Sequence, residues 1–273
     1  MAAIRVLLVD GVHLCRGVYD ANHREDTEID DCIESCVRSL NRALNTHRPS
    51  HAMVVIDSHD KTWRHMLYAD YKLGRKPTPE LLINHLDRFQ NAFETAGVKS
   101  LEVAGYEADD VIATLATGVA QSSGDAIIVS TDKGFLSLLN EHIKVYHHFD
   151  QYFYKLAGVK QKYGLRHDQL IDYWSLCGDP SNNIKGVPGI GKKTTLLLLE
   201  QFKSLDEVLR QARLLVKAQA ADVPPAIEQG WEVFQKPLSK IMPFENEALK
   251  CRLLLTPKLD VELGINLRTF RLA

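Results

Sequence analysis

Gly105-Tyr106-Glu107-Ala108-Asp109-Asp110-Val111 sets three carboxylates within four residues. It follows the apolar run Leu101–Val103 and precedes Val111, Ile112, Leu115 and Val119, which recur at helical spacing. The stretch therefore reads as the end of a strand turning into the first turn of a helix. Carboxylates this close repel one another, and the dipole of a helix N-terminus offsets only part of that repulsion. Two readings fit: a solvated acidic helix start, or a site for a hard divalent cation such as Mg2+, which prefers carboxylates and water. The rest of the chain decides between them.

Three other apolar runs end in the same way. Arg5-Val6-Leu7-Leu8-Val9-Asp10-Gly11 reads as a buried parallel strand, Ile4–Val9, with a carboxylate at its C-terminal end. His51-Ala52-Met53-Val54-Val55-Ile56-Asp57 and Asp125-Ala126-Ile127-Ile128-Val129-Ser130-Thr131-Asp132 repeat the pattern, and Ile143–His147 is a further strand. Between them, Ile29, Ile33, Val37, Leu40 and Leu44 mark an amphipathic helix over 28–47. A second helix is expected from Glu80 to Ala96, closed by Gly97. Strands alternating with helices imply a mostly parallel sheet. Ligands of such sheets gather at the carboxyl ends of the strands. One strand-end Asp is often only a cap, but the repetition points to a shared site. Asp10, Asp57, Glu107, Asp109, Asp110 and Asp132 would meet there, and six carboxylates are not expected to stay ionised together without a metal.

Residues 63–79 change character. Arg64, His65, Lys72, Arg75 and Lys76 are interleaved with Trp63, Tyr68 and Tyr71, and Gly74, Pro77 and Pro79 interrupt regular structure. Cations among aromatics suit phosphate contacts and base stacking, although a solvated basic loop has the same composition. Further on, His167–Cys177 is helical and Gly186-Val187-Pro188-Gly189-Ile190-Gly191-Lys192-Lys193-Thr194 is a glycine-rich turn opening a helix that runs through Phe202. This is a helix-hairpin-helix pattern, in which glycines let backbone N–H groups approach a phosphate. It is not a P-loop, because Lys192 is followed by Lys193 rather than Ser or Thr. Helices continue over 205–251. The expected fold class is α/β: a central, mostly parallel sheet flanked by helices (residues 1–160, with a basic clamp or arch segment 60–80), then an α-helical helix-hairpin-helix subdomain (161–255) and a C-terminal segment (256–273).

The bulk composition is compatible with this. A chain of 273 residues, 45% of them hydrophobic, can bury a full core in one large domain or two. The net charge of −2 gives no global positive field, so a polyanion partner requires a local patch. Five scattered cysteines (15, 32, 36, 177 and 251) without a C-x-x-C argue for a reducing compartment and against a disulfide frame or zinc site. Cys32 and Cys36 share a helical face and read as packing residues. No apolar stretch reaches the ~18 residues that a membrane span needs. A soluble, cytoplasmic monomer without a membrane partner is expected.

These motifs together resemble the flap endonuclease family, the 5′→3′ exonuclease domains of bacterial DNA polymerase I and their free-standing relatives. Val9-Asp10-Gly11, Tyr71-Lys72-x-x-Arg75, Gly105-Tyr106-Glu107-Ala108-Asp109-Asp110, Ser130-Thr131-Asp132-Lys133, Tyr163-Gly164-Leu165 and Gly186–Gly191 match it in order. The resemblance implies hydrolysis of phosphodiester bonds in DNA with 5′ flaps or branches, by a mechanism using two Mg2+ ions about 3.5–4 Å apart. It makes Asp10, Asp57, Glu107 and Asp109 ligands of the first ion, with Asp110 and Asp132 bridging toward the second. It makes Lys72 and Arg75 the pair that positions the scissile phosphate. Gly189, Ile190, Gly191, Lys192, Lys193 and Thr194 would bind duplex DNA, with a K+ ion held by the carbonyls of Leu176, Cys177, Lys185, Val187 and Ile190.

The sequence also departs from the family. Gly134 replaces the second carboxylate of Asp-x-Asp after the third Asp-ended strand, and Asn182 replaces the second Asp of Gly-Asp-x-x-Asp-Asn. The second cage keeps only Asp132 and Asp179, and a dication with fewer carboxylates is held more weakly. A small free-standing bacterial branch of the family shares this kind of loss. The rival expectation is a structure-specific DNA-binding protein of the same fold with weak or lost nuclease activity. An RNA-cleaving PIN-type nuclease would share the acidic sheet edge but lacks the hairpin.

Overall fold

The computed structural model describes residues 4–22, 29–221 and 231–272. Glu28, the expected first residue of the long amphipathic helix, lies outside them, as do residues 222–230 of the expected helical run. The chain divides into two compact units, one of residues 1–66, 76–155 and 257–273, the other of 67–75 and 156–256. The basic segment 60–80 is thus shared between them.

The first unit is built on a six-stranded sheet: β1 (Arg5–Asp10), β2 (His51–Val55), β3 (Lys99–Leu101), β4 (Asp125–Val129), β5 (Ile143–His147) and β6 (Tyr152–Phe153). Their spatial order is β3-β2-β1-β4-β5-β6, parallel except for the β5–β6 pair. Val6, Leu7, Leu8 and Val9 are fully buried, as a continuous apolar run must be in a strand covered on both faces. The helices of this unit are α1 (Gly11–Asn22), α2 (Ile29–His47), α3 (Trp63–Leu67, whose last residue falls in the other unit), α4 (Glu80–Ile83), α5 (Leu86–Thr95) and α6 (Ala108–Gln121). The single helix expected over 80–96 is two. Asn84 ends the first helix with helical dihedrals, the chain leaves helical geometry at His85 (φ −127°), and α5 starts afresh from there. The third strand lies at Lys99–Leu101 rather than Leu101–Val103. The strand ends where the chain begins its turn toward Glu107, so Val103 is free to accept from the Tyr106 N–H (3.2 Å). The C-terminal stretch packs on this unit: the Lys258 carbonyl accepts from Thr114 Oγ1 (3.1 Å), and Leu272 N–H donates to the Ser50 carbonyl (3.1 Å).

The second unit is helical: α7 (Leu156–Tyr163), α8 (Leu170–Cys177), α9 (Lys192–Phe202), α10 (Leu205–Ala220), α11 (Glu232–Ile241) and α12 (Glu245–Leu255). Ser204 caps α10 by accepting from Glu207 N–H. Where α8 ends, the chain folds back so tightly that a Cβ on Gly186 (φ +68°) would lie 2.3 Å from the Gly178 nitrogen. Only glycine fits there.

Candidate active site and DNA-binding elements

The strand order reverses between β1 and β4, because β1 connects to β2 on one side while β4 pairs with β1 on the other. Asp10, the last residue of β1, stands at that switch point and is buried. His13 N–H donates to its Oδ1 (3.1 Å), and Ser130 Oγ, just past β4, donates to its Oδ2 (3.1 Å). Burial pushes the Asp10 carboxyl up to about 6, the Asp57 and Asp132 carboxylates push it the same way, and His13 opposes them. His13 also makes a short hydrogen bond to Thr131 Oγ1. Asp57, two residues past β2, accepts from Ala108 N–H (2.8 Å) and so caps the start of α6. Asp132 accepts from Gly134 N–H (2.6 Å) and opens a short 3-10 turn. The carboxyl ends of β3, β2, β1 and β4 thus carry Glu107–Asp110, Asp57, Asp10 and Asp132 along one sheet edge.

The edge is shared, but the side chains do not form one cluster. Among the described residues, no three histidine, cysteine, aspartate or glutamate side chains come close enough to hold a metal ion together. The expectation that six carboxylates need a metal to stay ionised overlooked the protein's own donors. Arg64 supplies the largest correction. It is 3% exposed, donates to both oxygens of Asp110 (2.7 and 2.8 Å) and reaches Glu107 Oε2 (3.0 Å). Trp63 Nε1 (2.9 Å) and Lys258 N–H (2.8 Å) complete the shell of Asp110, which is fully buried. All four donors point at its two oxygens, so Asp110 is an anchor of the fold rather than an open ligand. Arg64 and Trp63 therefore face inward, although the sequence placed them with the phosphate-contacting cations and stacking aromatics.

Asp10, Asp57 and Asp132 remain hard oxygen donors close enough to raise Asp10, and Asp109 is half-buried in the first turn of α6. Mg2+ usually takes one or two carboxylates and keeps several waters rather than filling an all-protein cage, so this donor set fits it. A cation here would offset the burial that chiefly holds Asp10 up and the smaller repulsion from Asp57 and Asp132.

In the second unit, Asp179 is 1% exposed. Its Oδ1 accepts from Ser181 N–H (3.2 Å) and Ser181 Oγ (2.7 Å), and its Oδ2 accepts from Asn182 Nδ2 (2.8 Å). Lys72, half-buried, and Arg75, exposed, belong to the same unit. In the hairpin, Val187 N–H donates to the Leu176 carbonyl (2.8 Å) and Ile190 N–H to that of Val187 (3.0 Å), which brings the stretches holding Leu176, Cys177, Lys185, Val187 and Ile190 together. Gly191 caps α9 with open space where a Cβ would stand, and Lys192 and Lys193 are exposed beside it with Thr194 half-buried. Open backbone and two cations at a helix N-terminus suit a phosphate. At Gly189 the nearest neighbour to a Cβ would be Lys240 Nζ at 3.5 Å.

Sequence reasoning missed His13 altogether, and it missed that Ser130, Arg64 and the Asn182 amide, each named for another reason, are donors to these carboxylates. Only the short spacing of His13 from Asp10 carried a signal for any of them.

Comparison with known proteins fits this arrangement. Residues 5–164 match the 5′-3′ exonuclease N-terminal resolvase-like domain, and residues 165–273 match the 5′-3′ exonuclease C-terminal SAM fold. Proteins called flap endonuclease Xni are similar over almost their whole length: that of Psychromonas ingrahamii is 38% identical (97% of this chain, 96% of the relative), and that of Shewanella piezotolerans 40% (98% and 97%). Among solved structures, the 5′-exonuclease of T5 with bound zinc superposes with a TM-score of 0.73 at 18% identity (92% of this chain, 89% of that one). A flap endonuclease variant of bacteriophage T5, in a pseudo-enzyme-product complex with DNA and metal ions, gives 0.70 at 19% (92% and 88%). The chain thus belongs to the 5′-3′ exonuclease family, whose two domain patterns it carries from residue 5 to residue 273.

Proposed function

We propose that the protein is a Mg2+-dependent flap endonuclease that hydrolyses phosphodiester bonds in DNA bearing 5′ flaps or branches. The observation that carries this reading is Asp10, buried at the switch point of the sheet and held up to about 6 partly by Asp57 and Asp132. Asp10, Asp57, Glu107 and Asp109 hold the first ion. A bound Mg2+ supplies an activated water at neutral pH and neutralises charge on the leaving oxygen. Arg64 fixes Glu107 through Oε2, and Asp57 ties the end of β2 to the first turn of α6. Lys72 and Arg75 engage a backbone phosphate. The segment Gly189–Thr194 grips the duplex through N–H groups and lysines, with K+ held by the carbonyls of Leu176, Cys177, Lys185, Val187 and Ile190. Asp132 and Asp179 are each engaged by protein donors, so a second ion binds weakly or with DNA. The protein works as a monomer in the cytoplasm.

The same engagement of Asp132 and Asp179, with Gly134 and Asn182 beside them, favours a second reading: a structure-specific DNA-binding protein with little nuclease activity. A 5′-flap substrate incubated with the protein in Mg2+ or Mn2+, beside an Asp109→Ala control, separates the two. Cleavage that disappears in the control supports the enzyme. Binding without cleavage in either protein sinks it in favour of the second reading.

A further inference from the structure

The loop 179–183 does more than carry a leftover carboxylate. Asp179 and Ile184 exchange two backbone hydrogen bonds (2.8 and 3.0 Å), which close the loop at its base. Inside it, the Asn182 amide and Ser181 occupy both oxygens of the buried Asp179. Protein donors thus hold the loop closed. Its outer rim faces the segment 67–75. The Asn182 carbonyl accepts from Lys72 N–H (3.0 Å), Asn183 Nδ2 donates to the Asp70 carbonyl (2.7 Å), and Tyr68 OH donates to the Asn183 carbonyl (3.4 Å). Tyr71, buried between these contacts, packs with Ile184 and Leu254. Two residues in this arrangement have left-handed backbones: Asn183 (φ +55°), a type that tolerates it, and Lys72 (φ +58°), a type that does not favour it. A lysine stays in that conformation only where its surroundings over-determine it.

We propose that the loop 179–183 is a clamp that sets Lys72 in its left-handed conformation, with Asn182 and Asn183 as positioning residues for the phosphate-engaging lysine. Asn182 contributes twice. Its amide gives Asp179 a partner, and its carbonyl takes the Lys72 N–H. Asn183 holds the adjacent turn through Asp70 and supplies the left-handed corner that aims both groups outward. The functional part of this inference rests on the role given to Lys72 above, and the clamp itself rests on geometry alone.

The test compares wild type, Asn183→Ala, Asn183→Gly, Asn182→Asp and Lys72→Ala by amide hydrogen exchange over 67–75, and by KM and kcat on a 5′-flap substrate. Asn183→Ala loses the Asp70 bond and the short polar side chain that lets asparagine hold a left-handed backbone, so exchange at the Lys72 amide accelerates about tenfold or more. Asn183→Gly keeps the backbone conformation and recovers most of that protection. This rescue separates positioning from general destabilisation, and glycine serves if the alanine variant does not fold. Asn182→Asp sets a second carboxylate against Asp179 and accelerates the same amide. KM shifts in Asn183→Ala and Asn182→Asp in the direction of Lys72→Ala, with kcat altered less than KM. Unchanged exchange at Lys72 in both loop variants overturns the clamp. Accelerated exchange with wild-type KM, while Lys72→Ala weakens binding, overturns the positioning role. If Lys72→Ala leaves both constants unchanged, the phosphate role of Lys72 fails and the positioning role falls with it, whatever the exchange shows.

Discussion

Asp110→Asn tests whether Asp110 is an anchor or a metal ligand. The side chain is fully buried, and its two oxygens receive four donors: Arg64 Nη1 and Trp63 Nε1 on Oδ2, and Arg64 Nη2 and Lys258 N–H on Oδ1. Asparagine has nearly the same shape but turns one oxygen into an NH2 group, which then faces donors only. It also removes one of the charges that neutralise Arg64, which keeps its pairing with Glu107. Breaking one side of a buried pair in this way costs about 3–5 kcal/mol. At roughly 2–4 °C per kcal/mol for a chain of this size, the melting temperature falls by about 10 °C. The assay is thermal denaturation followed by circular dichroism, in EDTA so that metal binding does not contribute. Because the loss comes from separating two coupled charges, Asp110→Leu combined with Arg64→Met costs less than the sum of the single changes. A variant Asp110→Asn that melts within a degree or two of wild type, yet loses its response to Mg2+, would show that the carboxylate is a ligand and refute the anchor.

Asp10→Asn has the opposite sign. The folded carboxyl titrates near 6 against 3.8 in the reference state, so its stabilising contribution is present in acid and lost as pH rises through 6. Above that pH the ionised group costs the fold about 3 kcal/mol. Asparagine can keep the His13 bond and donate to the rotatable Ser130 hydroxyl. In EDTA, Asp10→Asn is therefore more stable than wild type at pH 7.5 and equal to it near about pH 4; a variant less stable at pH 7.5 contradicts the crowding. In the hairpin, Gly186→Ala drives a Cβ against the backbone of Gly178 and Leu176 (2.3 and 2.6 Å), whereas Gly189→Ala meets only the flexible end of Lys240. Urea denaturation shows Gly186→Ala to be the more costly by at least about 2 kcal/mol, and equal costs would mean that the close approach is not rigid. Gly134→Asp with Asn182→Asp adds a carboxylate beside Asp132 and another beside Asp179. The pair melts below wild type in EDTA, recovers part of the loss in Mg2+, and cleaves saturating flap DNA faster, although its KM moves with that of Asn182→Asp; a melting temperature indifferent to Mg2+ refutes this account.

Much of the first unit was legible because its strands are continuous apolar runs ending in a carboxylate, a pattern that needs no tertiary knowledge. Ile143–His147 agrees to the residue, β1 is shifted by one residue from Ile4–Val9, β2 and β4 stop short of Asp57 and Asp132, β3 lies two residues before Leu101–Val103, and β6 has no counterpart in the sequence reading. The helix α1 was not legible. It starts directly after Asp10, and His13, Arg16 and Asp20 blur its apolar periodicity. The break at Asn84-His85 escaped notice because Leu82, Phe89 and Phe93 keep a core-facing pattern across it. At the site, the carboxylates could be read as candidates, but their partners could not. Arg64 lies 43 and 46 residues before Glu107 and Asp110, inside a segment whose composition suggests an exposed basic loop. Nothing in one sequence distinguishes a guanidinium aimed at solvent from one buried under two carboxylates.

Arg64 and Asn182 repeat one physical solution in two places. A buried carboxylate needs a positive or donating partner, and a divalent ion is one supplier among several. At Asp110 the partner is a guanidinium, and at Asp179 it is an amide and a hydroxyl. Each substitution of a protein donor for an ion fixes geometry permanently, whereas an ion can leave. At Asp110 the fixed partner ties α6 to α3 and to the C-terminal stretch, which sets Asp110 apart from the carboxylates proposed for an exchangeable cation. At Asp179 it ties the loop to the turn carrying Lys72. The neutral Asn182 is then more than a lost ligand. It closes Asp179 with its side chain while its backbone carbonyl receives the Lys72 N–H, so one residue links the buried carboxylate to the backbone of the lysine proposed to engage a phosphate.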